Sequence, residues 1–97
     1  MTGFVLTEDA AADLESIFEF IATDDPRAAL RVLDELEAAM QMLAAAPLVG
    51  HLREELAAAP LRFWSVYSYL VIYDPSASPI TVLRVLSGYR DVADLLT

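Results

Sequence analysis

The period of the hydrophobic pattern changes at Pro47, and that change constrains the fold more than any other feature of the chain. Before it, Ala10, Leu14, Ile17, Phe18 and Ile21 recur at three- and four-residue spacing, and so do Ala29, Leu33, Leu36, Met40 and Leu43. Spacing of that kind puts each set on one stripe of an α-helix. Asp13, Glu15 and Glu19 fall largely off the first stripe. After Pro47 the segments Leu61-Arg62-Phe63-Trp64, Ser68 to Tyr73 and Ile80 to Leu86 are rich in aromatic and β-branched residues, as strands are.

The punctuation agrees with this division. Thr7 is a helix N-cap, with Glu8 and Asp9 favourably placed against the positive end of the helix dipole. Thr23-Asp24-Asp25-Pro26 stops the first helix and starts the second, because an Asp caps and Pro suits the first helical position. The second helix should run to about Ala46, and so short a turn predicts an antiparallel hairpin. Gly3 to Leu6 reads as a short strand. Leu48 to Pro60 reads as a connection broken at Gly50, with a turn of helix at Glu54 to Ala58. Asp74 to Pro79 is a turn by composition, Ser87-Gly88 ends the last strand, and Tyr89 to Thr97 is a tail or short helix packing through Val92 and Leu95. The expected fold is α+β, in the order β-α-α-β-β-β. It is an antiparallel sheet with the N-terminal helical hairpin on one face, and residues 1–97 form a single domain.

Composition limits the functional classes. A hydrophobic fraction of 57% and a mean hydropathy of +0.46 exclude a disordered acidic tail. No stretch reaches the eighteen or so apolar residues of a spanning helix, and the start lacks the basic flank of a signal peptide. Without cysteine there is no disulfide and no thiolate metal site. A soluble cytoplasmic domain without cofactor is expected. The net charge is −9, and every cation is an arginine. Residues 1–47 carry ten acids and two arginines, whereas residues 48–97 carry five acids and four arginines. That is no basic surface for displacing counterions from phosphates, so direct nucleic-acid binding is not expected.

Three constellations could carry function. Arg62, Arg84 and Tyr89 could form an RNA-cleaving site, which needs a base for the 2′-hydroxyl, cations for the phosphorane charge and an acid for the leaving oxygen. Arginine is a poor proton shuttle, tyrosine ionises only near pH 10, and no good base is left in the strand half except Glu54 or Glu55. The structural alternative is that Arg84 pairs with a carboxylate such as Asp91. His51 is the only histidine and cannot build a metal site alone. Asp34, Glu35 and Glu37 point in different directions around a helix and read as a solvated face. The aromatic group Phe63, Trp64, Tyr67, Tyr69 and Tyr73 is the third. In a strand Tyr69, Val71 and Tyr73 share one face and Leu70 and Ile72 the other, so the sheet is apolar on both sides. Either this is core packing or a partner lies across one face.

The ordered segments LTEDAAADLESIFEFIA, PLVGHLREEL, LRFWSVYSYLVIYDP and ITVLRVLSGYRDVADLL resemble the ParE branch of the ParE/RelE toxins, over about residues 4 to 96. The resemblance implies a RelE/ParE-like fold, a toxin of a type II toxin–antitoxin module and a cognate ParD-like antitoxin. It also implies inhibition of DNA gyrase by protein–protein contact, with no catalytic residue. The C-terminal strand and tail, with Arg84, Tyr89 and Arg90, are the expected target-binding surface, and Trp64, Tyr69 and Tyr73 the expected antitoxin-binding residues. One alternative is a RelE-like ribosome-dependent mRNA endonuclease. Against it, the chain has no lysine, Ser87 stands where many relatives carry histidine, and Asp74 stands where a basic residue is common. The other is a non-toxic antitoxin-binding module.

Overall fold

A computed structural model describes residues 3–53 and 60–87. The chain forms β1 (Phe4–Leu6), α1 (Glu8–Ala22), α2 (Pro26–Ala45), β2 (His51–Leu52), β3 (Arg62–Val66), β4 (Tyr69–Asp74) and β5 (Ile80–Ser87). Both expected helix starts are built by the expected residues. The Thr7 hydroxyl accepts from the Ala10 N–H at 3.0 Å, and the Asp25 carboxylate accepts from the Ala28 N–H at 3.1 Å, with Pro26 at the first helical position.

The strands form one five-stranded sheet in the order β1-β5-β4-β3-β2. The sheet is mixed, not antiparallel as expected: β1 runs parallel to β5, with Phe4 opposite Ile80 and Leu6 opposite Val82. A parallel pair needs a long connection, and here everything between the first and last strands serves as one. Strand β2 falls within the segment whose sequence reads as a connection. Its two residues pair with β3, His51 opposite Phe63 and Leu52 opposite Arg62.

The two-residue alternation separates two apolar clusters. Ala10, Leu36, Met40 and Leu43 of the helices pack with Val71, Tyr73, Ile80, Val82 and Val85 of the sheet. Phe63, Leu70, Ile72 and Leu86 form the second cluster, on the opposite face, and all four are buried. Leu61 packs against this second cluster.

A bulge breaks the register of β5. Ile72 lies opposite Arg84 but Tyr73 lies opposite Val82, which leaves Leu83 without a partner on β4. Its carbonyl accepts a 2.7 Å hydrogen bond from the Thr7 hydroxyl, while the Thr7 N–H donates to the Val82 carbonyl at 3.1 Å. One residue thus caps α1 and joins it to β5.

Candidate functional site

Strand β1 ends opposite Val82, so among the described residues the rest of β5 on that side has no neighbouring strand. Its backbone groups must find other partners. Asp13 supplies one: its Oδ2 accepts from the Val85 N–H at 2.9 Å. The same carboxylate takes both arms of Arg84, Oδ2 from Nε at 2.7 Å and Oδ1 from an Nη at 2.8 Å. The fork geometry is the strong form of a carboxylate–guanidinium contact. It also raises the Arg84 pKa further, chiefly through the hydrogen bonds to Asp13. The two side chains are 26% and 14% exposed, so the pair lies at the surface without being fully solvated. Arg84 was expected to pair with a residue such as Asp91; its observed partner is Asp13, 71 positions earlier in the chain.

Arg62 is engaged elsewhere. It donates to the Leu48 carbonyl at 3.0 Å and the Gly50 carbonyl at 2.7 Å, anchoring the connection after α2 to β3. In the register Arg62 stands opposite Tyr73 and Arg84 opposite Ile72. Cross-strand partners share a face, and Tyr73 and Ile72 belong to opposite clusters. The two arginines therefore lie on opposite faces of the sheet and are not brought together. Tyr89, Arg90, Glu54, Glu55 and Asp91 lie outside the described residues, as does the turn of helix expected at Glu54 to Ala58.

The three aromatic residues named for partner binding separate. Tyr73 is 0% exposed, so its ring offers no surface to a partner. Its hydroxyl donates to the Pro47 carbonyl at 2.6 Å and accepts from the Gly50 N–H at 3.0 Å. Burial pushes its pKa up, against smaller opposing effects of the Gly50 hydrogen bond and the Arg62 charge. Trp64 and Tyr69 are half-buried and pack against the helix-side cluster. Tyr69 lines a cleft of about 490 Å³ with Ser16, Ile17, Phe20, Ser68 and Ser87. Phe20 among them is 79% exposed. His51 is exposed in β2 and stacks on Trp64, 6.1 Å between centroids and 7° between planes. No group of three metal-ligating side chains occurs among the described residues.

A family model described as the ParE toxin of the type II toxin–antitoxin system, parDE, matches residues 4–92. The chain belongs to the ParE toxin family. No curated protein sequence matches it. A solved structure described as the chromosomal ParDE TA system from P. aeruginosa is similar over 91% of this chain and 97% of the other, with a TM-score of 0.72 at 21% identity. At that identity the likeness is one of fold, and it agrees with the α+β architecture above. No described helix is long and apolar enough to cross a membrane.

Within this ParE-family chain, sequence reasoning missed three residues. Asp13 falls off the apolar stripe, and that position is what lets it reach past the helix to the β5 edge. Gly50 reads in the sequence only as a break. A Cβ there would sit 2.8 Å from Cε1 and 2.9 Å from Cζ of Tyr73, so the close approach requires glycine. Tyr67 begins the two-residue β3–β4 turn with φ of 56°, a position that favours glycine, and it is 67% exposed. No signal in a single sequence marks a tyrosine as holding that conformation.

Proposed function

We propose that this chain is a toxin that disables DNA gyrase by protein–protein contact and is held silent by a cognate ParD-like antitoxin. Membership of the ParE toxin family supports the toxin role. The observation that carries the non-catalytic mechanism is the engagement of the strand arginines, Arg62 by two backbone carbonyls and Arg84 by Asp13. Phosphorane stabilisation needs cations aimed at one reacting group, and these two are held on opposite faces of the sheet. The net charge of −9 also opposes approach to RNA. A protein target carries no such penalty.

The target-contacting surface is the C-terminal end of β5 and the residues after it, with Arg84, Tyr89 and Arg90. The antitoxin covers the surface around Trp64 and Tyr69. The test is tightly controlled induction in a bacterial host, with labelled thymidine and methionine incorporation followed over the first minutes. DNA synthesis should stop first, with filamentation, and co-expression of the antitoxin should restore growth. If protein synthesis stops first, the gyrase mechanism is wrong and RNA cleavage replaces it.

A further inference from the structure

A second cleft, of about 450 Å³, opens between α2 and the β3 end of the sheet. Glu35, Ala38 and Ala39 of α2 line it on the helix side, and Trp64 and Tyr67 are among the residues that line it from β3 and the turn that follows. Alanine at 38 and 39 leaves the space between helix and strand unfilled. Glu35 is exposed and makes no ion pair among the described residues. Trp64 is braced from one side by the parallel His51 ring. Tyr67 is held at φ of 56°, where a side-chain-bearing residue is strained, and its ring is left largely in solvent. Strain at an exposed aromatic beside an unfilled cleft is poorly explained by folding alone.

Two aromatic side chains and an unpaired carboxylate have the chemistry that recognises an organic cation. Arginine fits best, because its planar guanidinium stacks on aromatic faces while its donors reach a carboxylate. We propose that this cleft is a docking site for an arginine side chain of a partner protein, seated against Trp64 and Tyr67 and paired with Glu35. Charge complementarity identifies the occupant. The helical hairpin lies in the half of the chain with ten acids and two arginines, so it attracts a basic segment and repels an acidic one. The proposal does not depend on gyrase as target. It adds to the antitoxin reading the requirement that the segment crossing α2 be basic.

Trp64 is the only tryptophan in the chain, so intrinsic fluorescence reports on the cleft directly. The purified protein is titrated with N-acetyl-arginine amide at low ionic strength, and with the uncharged N-acetyl-citrulline amide of the same shape. Amide chemical shifts are followed in parallel. Saturable binding of the arginine probe is expected, with shifts confined to residues 35–39 and 64–67, and no response to the citrulline probe. Glu35→Gln, a substitution on an exposed helix face, should weaken binding about fivefold, and Tyr67→Gly should weaken it with the fold retained. No saturable response, an equal response to citrulline, or unchanged affinity in E35Q overturns the proposal. Sedimentation of the wild-type protein as a dimer that E35Q dissociates would assign the arginine to a second copy of this chain and overturn it too. No gyrase or antitoxin enters these measurements, so their failure leaves the proposed function untouched.

Discussion

Removing Asp13 should destabilise the protein far more than removing its partner Arg84. The carboxylate serves two clients, the Arg84 guanidinium and the Val85 N–H, whereas among the described residues Arg84 bonds to the carboxylate alone. In Asp13→Ala the Val85 N–H, on a residue only 2% exposed, loses its acceptor. An orphaned buried donor costs about 1–3 kcal/mol. The ion pair adds at most about 1 kcal/mol, because the guanidinium is partly exposed and rehydrates when released. The loss in Asp13→Ala is then about 3 kcal/mol, and in Arg84→Ala about 1 kcal/mol, since Asp13 still accepts from Val85. For a domain of this size 3 kcal/mol lowers Tm by roughly 12–24 °C. Urea denaturation of both variants at neutral pH, followed by circular dichroism, measures the difference. Equal losses, or a larger loss in Arg84→Ala, would refute the reasoning. Growth arrest at matched levels of folded protein then separates the roles of Arg84: if it contacts the target, Arg84→Ala relieves toxicity despite its small effect on stability.

Gly50→Ala should cost about 2–3 kcal/mol by overpacking against the Tyr73 ring, and the loss should be smaller when Tyr73→Phe has already removed the hydroxyl; a double-mutant cycle in urea reads the coupling. Tyr67→Gly should stabilise the protein by about 0.5–1 kcal/mol in the same assay, because glycine holds a φ of 56° without strain. The raised pKa of Tyr73 means that the unfolded chain releases the phenolic proton first, so this contribution to stability is complete below about pH 10 and is lost as pH rises further. Denaturation midpoints above that pH should therefore fall less steeply in Tyr73→Phe than in the parent.

The elements governed by local chemistry were legible from the sequence, and those governed by distant pairing were not. Thr7, Asp25 and Pro26 announce their helices because capping is a matter of three residues. The alternation of Val71 and Tyr73 against Leu70 and Ile72 assigned both sheet faces because the strand period is two. The parallel pairing of β1 with β5 spans nearly the whole chain, and nothing local in Phe4-Val5-Leu6 encodes its direction. Strand β2 is two residues long, too short to show a period. The same limit applies at the site. Arg62 and Arg84 were visible as cations, but their partners are fixed by tertiary contacts: the carbonyls of Leu48 and Gly50 for one, a carboxylate of α1 for the other. The aromatic residues of β4 looked like a partner-facing patch, whereas Tyr73 is buried and its hydroxyl holds the chain after α2.

The treatment of the β5 edge bears on how a partner can attach. An uncovered strand invites another chain to add a strand beside it. Here the Thr7 hydroxyl occupies the Leu83 carbonyl and Asp13 occupies the Val85 N–H, so α1 closes with side chains what β1 leaves open. A partner strand could pair there only by displacing Asp13, and with it the Arg84 ion pair. Amide hydrogen exchange tests whether the closure is as firm as its geometry indicates. Val85 should be protected in the parent protein to a degree close to Val71, which lies opposite it on β4, and should lose most of that protection in Asp13→Ala. Retained protection of Val85 in that variant would mean that something other than Asp13 guards the edge. Protection lost there while Val71 keeps its own would identify one aspartate as the residue that seals this edge of β5.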